Sequence, residues 1–227
     1  MTLSVPSVKI AHIADVHVRS LSRHDEYRQV FQAFARQLRE KGVQHVYVGG
    51  DVFHTKTTNL SPEYIDFMSW LFDVITGDGD GQANAELHIT LGNHDGNLIN
   101  KSRQDAVSPI VAANKNPRVH LYKKSGVYQF APGYNWCVFS LFDEEGWVNV
   151  KPVPGEVNIA CYHGPVSGAH TESNWEIETD MKVDVFKDYD LCFLGDIHAT
   201  QFLDYREVEL EIDDAELHRY PGAEVIA

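Results

Sequence analysis

His45-Val46-Tyr47-Val48-Gly49-Gly50-Asp51-Val52-Phe53-His54 is the stretch on which the reading of this chain turns. A short apolar run, the length of a buried strand, runs straight into a glycine pair and then a carboxylate. The glycines let the backbone turn sharply, so Asp51 is delivered at the strand's C-terminal end. Upstream, Tyr27, Val30, Phe31, Phe34 and Leu38 recur at helical spacing and predict an amphipathic helix from Arg23 to Lys41, closed by Gly42. Val8 to Ala14 reads as a buried strand before it. Downstream, Ser61-Pro62-Glu63 is a helix start, a capping serine with proline at the first helical position. That helix runs to about Ile75, with a turn at Gly77 to Gly81. Glu86 to Leu91 is the next strand, and Gln104 to Ala113 a further helix. The second half is mostly strand: Val127 to Phe130, Trp136 to Ser140, Val157 to Tyr162, Leu191 to Leu194 and Glu207 to Ile212. Strand-helix repeats followed by strands predict an α/β layered sandwich with a mixed sheet.

The composition narrows the function classes. The 227 residues fit one domain with a substantial core, taken here as residues 1–227. The net charge of −14 is not the footprint of a protein that holds nucleic acid by bulk electrostatics. Part of the acidity fits carboxylates awaiting divalent ions, and part is solvated surface, as in Asp204 to Glu216. No apolar run approaches the ~20 residues of a membrane span, and Met1 to Ser7 lacks the pattern of a secretory signal. Cys137, Cys161 and Cys192 are odd in number and far apart, which points to a reducing compartment, hence the cytoplasm, and away from a thiolate zinc site. Tyr220-Pro221-Gly222-Ala223 reads as the entry to another strand, so the natural protein is expected to continue beyond residue 227.

Five segments share one property: each is a polar cluster after an apolar strand. They are Asp15-Val16-His17, Gly50-Asp51, Gly92-Asn93-His94-Asp95, His163-Gly164 and Gly195-Asp196-Ile197-His198. In open α/β sheets that edge is where side chains from several strands converge. Alone, Asp-x-His is an ordinary surface or capping pair, and a histidine after a strand is an ordinary core histidine. Together, Asp15, Asp51 and Asp196, the Asn93 amide, and His17, His163 and His198 mix hard oxygen with borderline nitrogen. That mixture suits two divalent ions such as manganese, iron or zinc. Two such ions activate a water and clamp a phosphate in line with it, which leaves His94 free to act as general acid.

The order Asp-x-His, Gly-Asp, Gly-Asn-His-Asp, His, Gly-x-x-His resembles the calcineurin-like metallophosphoesterase family, over Asp15 to His198. The resemblance implies a four-layer α-β-β-α sandwich of two mixed sheets. It also implies that Asp15, His17, Asp51 and His198 hold one metal, and that Asp51, Asn93, His163 and residue 196 hold the other. His94 would protonate the leaving oxygen, Asp95 would orient its ring, and His54 would help position the phosphate. Asp51-Val52-Phe53-His54, the helix opening Arg23-His24-Asp25-Glu26-Tyr27-Arg28, and Gln201-Phe202-Leu203 followed by Tyr220-Pro221-Gly222 resemble the SbcD-like DNA repair nucleases. Tyr162-His163-Gly164-Pro165-Val166 is similar to phage and archaeal versions, which would place a phage-encoded member in its host's cytoplasm. This finer likeness implies a manganese-dependent exo- or endonuclease acting in break processing, recombination or replication. Magnesium, iron(II) and zinc are the other candidate ions. It further implies an SbcC-like ATPase partner of the SMC type, a capping domain absent from this chain, and a homodimer formed by the helices around Ser61 to Ile75 and Gln104 to Ala113. Phe67, Trp70, Leu71 and Val74 would supply the dimer's apolar stripe, unless they are buried in the chain's own core. Arg19, Arg23, Lys101 and Arg103 are candidate basic contacts, or plain surface charge. One departure stands out: the family's last motif usually has histidine where this chain has Asp196. A carboxylate there still ligates and favours manganese or magnesium; the alternative is that it turns away and the second metal binds weakly. The rival functions are a phosphomonoesterase or small-molecule phosphodiesterase on the same site, and a non-catalytic scaffold of the same fold.

Overall fold

Val46, Tyr47 and Val48 are buried on both faces of their strand, which requires layers on either side of it. The computed structural model of the chain describes residues 7–19, 22–54, 61–77, 84–199, 201 and 203. Its first half runs β1 (Ile10–Ile13), α1 (His24–Lys41), β2 (His45–Gly49), α2 (Pro62–Thr76), β3 (Glu86–Thr90), α3 (Val107–Asn114) and β4 (Val119–Tyr122). Its second half runs β5 (Gly126–Ala131), β6 (Tyr134–Phe139), β7 (Val157–His163) and β8 (Leu191–Gly195). The expected elements form, with adjusted ends. Gly42 closes α1 at φ 67, donating its N–H to the carbonyls of Arg39 and Leu38. The Ser61 hydroxyl caps α2 by accepting the Tyr64 N–H at 3.2 Å. Helix α3 starts three residues later than Gln104, because the Asp105 carboxylate accepts the N–H groups of Val107 and Ser108 at 3.0 and 2.7 Å and fixes the start there. The strand β4 was not anticipated; it is short and half-buried. The turn beyond Gly77, the strand at Glu207 to Ile212 and the entry at Tyr220 lie outside the described residues.

Among the described residues two four-stranded sheets form, ordered β1-β2-β3-β4 and β5-β6-β7-β8. The expected sandwich is present, with two refinements. The first sheet is parallel throughout, since helical crossovers join β1 to β2 to β3 to β4. Only the second is mixed, through the antiparallel β5–β6 pair. The outer face of the first sheet carries the helices, over a core including Phe31, Leu38, Phe67, Leu71, Leu87 and Ile89. The sheets meet through Ile10, Tyr47, Trp136, Val138, Ile159, Cys161 and Phe193. Beyond the second sheet, among the described residues, the outer layer is made of 3-10 turns at Glu144–Asn149 and Val183–Phe186 over Phe139, Tyr162 and Tyr189. The candidate dimer stripe is largely used within the chain: Phe67, Leu71 and Val74 are buried in its own core, while Trp70 is half-buried beneath the Arg28 guanidinium, 4.5 Å from the ring centre.

Candidate metal centre

The five polar segments come together where β1, β2, β3, β7 and β8 end. Backbone hydrogen bonds hold them edge to edge. The Asp15 and His17 N–H groups donate to the carbonyls of Gly50 and Asp51 at 3.1 and 2.9 Å, and Gly164 N–H donates to the Gly195 carbonyl at 3.2 Å. Four of the expected ligands sit in the left-handed region: Asp15 (φ 54), His17 (φ 48), Asp51 (φ 50) and Asp196 (φ 71). For a residue with a side chain this conformation costs about 1–2 kcal/mol, and such outliers gather where structure serves a site. Gly92 lacks room for any side chain, because an added Cβ would strike the Asp51 carboxylate and backbone.

Asp51 is buried between two histidines on opposite sides. Its Oδ2 lies 3.8 Å from His17 Nε2, and its Oδ1 lies 3.4 Å from His163 Nε2. A carboxylate so placed could serve an ion on either side of it. The His94 N–H donates to the same Oδ1 at 2.7 Å. Around one side gather Asp15, His17 and His198, with His17 and His198 Nε2 at 4.0 and 3.8 Å from Asp15 Oδ1. Around the other gather Asp15, Asp51 and His163, with Asp196 Oδ1 at 3.9 Å from His163 Nε2. Asn93 donates its amide N–H to Asp196 Oδ1 at 3.3 Å, which turns the Asn93 Oδ1 the other way. Asp196 is therefore turned into the second cluster, and its own N–H donates to both Asp15 oxygens at 3.1 and 3.0 Å.

The residues fit a pair of divalent ions. Asn93 Oδ1 and His163 Nε2 are buried without a hydrogen-bond partner among the described residues. Buried polar atoms are rarely left so. His163 also shows its tautomer. Its Nδ1 lies 2.6 Å from the Gly49 carbonyl, which can only accept, so Nδ1 carries a proton and Nε2 is the nitrogen that faces the cluster.

His94 and Asp95 correct one expectation. Asp95 does not orient the His94 ring. The His94 Nδ1 donates to the backbone carbonyl of His54 at 2.7 Å. Asp95, fully buried, accepts the N–H groups of Gly92, Phe53 and Val52 at 2.9, 2.9 and 3.3 Å, stitching the third motif to the second. Its oxygens face these backbone N–H groups, and among the described residues the ring nitrogen that is held is Nδ1, on the His54 carbonyl. Residue 54 contributes its carbonyl as well as a half-buried side chain whose ring centre lies 6.5 Å from that of His94. The Gly49 and His54 carbonyls, which hold two of the histidines, were not visible to sequence reading, because every residue has a carbonyl. The candidate basic groups are partly committed: Arg23 pairs with Glu26, and Lys101 with Glu144 at 3.0 Å, both on the surface.

The sequence profile of calcineurin-like phosphoesterases matches residues 8–208. The chain belongs to the calcineurin-like phosphoesterase family. Among curated proteins it is 36% identical over 211 residues to the uncharacterized protein R555 of Acanthamoeba polyphaga mimivirus, covering 86% of this chain and 15% of that protein. The chain thus spans about a seventh of its relative's length, from the 15% share. Among solved structures, the Pseudomonas putida nuclease MPE aligns with TM-score 0.40 and 14% identity, over 74% of this chain and 66% of that one.

The electrostatics of this phosphoesterase site suit cations. Burial raises the carboxyls of Asp15 and Asp196 above their ordinary values. Burial pushes Asp51 up too, but His163 beside it and the His94 N–H bring it below its ordinary value. Burial pulls His163 down, and the facing Asp51 and Asp15 carboxylates outweigh that, carrying it to about 9. An ion at this position would compete with any proton on Nε2, so ion uptake at His163 depends on pH. Asp95 is carried to about 7 by its burial, against the pull of the Gly92 and Phe53 N–H groups.

Proposed function

We propose that this domain is a metal-dependent nuclease that hydrolyses DNA phosphodiesters. The observation that carries the chemistry is Asp51, whose two oxygens face His17 on one side and His163 on the other. Asp15, His17, Asp51 and His198 would hold one ion; Asp51, Asn93, His163 and Asp196 the other. Bound there, divalent ions polarise the phosphoryl oxygens and lower the pKa of a coordinated water. The chain's own groups do the rest. The His54 carbonyl fixes the His94 ring through Nδ1, leaving Nε2 to give a proton to the departing sugar oxygen. Asp95 keeps that turn registered on the second motif.

The choice of DNA as substrate is supported by the likeness to SbcD-like nucleases in Asp51 to His54, in the opening of α1 and in Gln201 to Leu203. The same likeness supports manganese as the ion, an SMC-type ATPase as partner, a cytoplasmic location, and a homodimer through α2 and α3 with Trp70 as its apolar contact. The acidity of the domain is then balanced by DNA contacts outside it. The test is the ratio of kcat/KM on a diester and a monoester of p-nitrophenol with manganese present. A diester preference of about tenfold or more supports the nuclease reading, since a tenfold ratio reflects about 1.4 kcal/mol of differential transition-state binding. A monoester preference moves the substrate to small phosphomonoesters while keeping the site.

A further inference from the structure

We infer that Phe142 is a positioning residue for the proton donor His94, acting on the turn that carries it from the opposite half of the molecule. The inference rests on the reading of His94 as that donor. The turn Gly92 to Gly96 is braced on one side by the Asp95 carboxylate, through Gly92, Val52 and Phe53. On its other side stands the Phe142 ring. A Cβ built on Gly96 would lie 2.7 and 2.8 Å from the ring carbons Cε1 and Cζ of Phe142. Gly96 is not among the positive-φ residues, so its backbone does not demand glycine. What demands it is space: the ring is pressed against the bare backbone one residue past Asp95. The Asp95 carbonyl accepts the Ala106 N–H at 2.8 Å, so the turn cannot slide away along the chain.

Phe142 belongs to the second half, in the loop between β6 and the 3-10 turn at Glu144–Asn149, yet it packs on the apolar core of the first half. Its loop is itself fixed. Phe142 N–H donates to Ser140 Oγ at 3.2 Å, Ser140 Oγ donates to the Lys123 carbonyl at 2.8 Å, and Asp143 accepts the Ser125 N–H at 2.9 Å and receives the Ser125 hydroxyl on its carbonyl at 2.7 Å. A ring held this firmly, in contact with a residue that has no side chain, sets where the turn rests. The turn in turn sets whether the His94 Nδ1 reaches the His54 carbonyl and where Nε2 points. Asn93, the ligand on the same turn, is separately tied to Asp196 at 3.3 Å, so the effect of Phe142 falls first on His94 and its proton donation.

Leaving groups separate that role from general stability. A p-nitrophenolate departs without a proton; a sugar alkoxide needs one. In the full chain with manganese, Phe142→Ala is expected to lower kcat on a single-stranded oligonucleotide by about 10- to 100-fold, the cost of a misplaced catalytic group. Turnover of bis-p-nitrophenyl phosphate and metal content should stay within about twofold of the parent. Phe142→Leu should recover most of the loss. Gly96→Ala should reproduce it, and the double variant Gly96→Ala with Phe142→Ala should be no slower than Phe142→Ala, since the new methyl then strikes nothing. The His94→Asn variant is the control for the donor reading: an equal loss on both esters would refute that reading alone. A second readout needs no turnover. The His94 Nδ1 proton, held by the His54 carbonyl, should appear as a slowly exchanging imidazole signal in nitrogen-labelled parent protein and be lost in Phe142→Ala and Gly96→Ala. If that signal persists in both variants, or if Phe142→Ala slows the two esters equally, Phe142 does not position His94.

Discussion

Asp196 stands where the resemblance to the family implies histidine, and the geometry around it bears on both readings of that difference. It stands at φ 71, a conformation that aspartate tolerates better than most residues, with its carboxylate turned toward His163 and tied to Asn93. A carboxylate there adds negative charge to the cluster of Asp15, Asp51 and His163 and shifts preference toward hard ions. Asp196→His should therefore keep both ions and keep activity, while moving metal preference toward zinc. Metal content by mass spectrometry after loading with an equimolar mixture checks this. Loss of an ion in the variant would mean that the ligand set depends on the carboxylate. At this scale the convergence of Asp15, His17, Asp51, Asn93, His163, Asp196 and His198 was legible from sequence, because each follows a strand and the ends of those strands meet. What was not legible was how histidines are aimed. His163 and His94 are held by main-chain oxygens, and that is decided by the folded path.

At the scale of elements, the layer between the sheets carries an unusual content of histidine. His12 on β1, His45 on β2 and His88 on β3 all face it and are buried. His45 Nδ1 and His88 Nε2 share a hydrogen bond at 3.0 Å, and His88 Nδ1 meets the Tyr122 hydroxyl at 2.9 Å. His12 has neither; among the described residues both its ring nitrogens are unpartnered, and the ring stacks on Phe193 with centres 4.6 Å apart. Burial alone carries His12 down to about 3 from its ordinary 6.5. The sign follows directly. Above pH ~6.5 neither folded nor unfolded chain binds this proton, and its contribution is complete; as pH falls from there toward ~3, only the unfolded chain takes it up, so stability is lost at about 1.4 kcal/mol per pH unit. His12→Phe should keep the stacking and remove that loss. Chemical denaturation of the metal-free protein at pH 5 and 7 measures it: the stability gap between the two pH values should shrink by about 1–2 kcal/mol in the variant, and an unchanged gap would contradict the assignment. These histidines show where element reading from sequence stops. The apolar run of β2 was clear from Val46 to Val48, but nothing in an isolated polar residue says which strand face it takes. The same holds for β4, too short and half-buried to declare itself, and for the start of α3, which follows a side-chain bond of Asp105 rather than the apolar period.

Seen whole, the molecule is two sheets whose strand ends supply one site from both halves: Asp15, His17, Asp51 and Asn93 from the first, His163, Asp196 and His198 from the second. The halves are locked by groups that also serve the site. His163 reaches across to the Gly49 carbonyl, Asp196 N–H reaches Asp15, and Phe142 rests on Gly96. The order of motifs along the chain made this architecture readable, since each polar cluster followed a strand. The packing of one half on the other was not, because it rests on contacts such as Phe142 on Gly96, and no motif marks them. The central claim is that this joint site hydrolyses nucleic-acid diesters with divalent ions. The most direct measurement is manganese-dependent cleavage of single-stranded circular and linear duplex DNA by the parent and by His94→Asn, with and without a chelator. Cleavage by the parent that chelator abolishes, and that His94→Asn lowers by about 100-fold or more while both ions stay bound, is the predicted result. DNA cleavage that survives the chelator, or near-parental rates in His94→Asn, would contradict it.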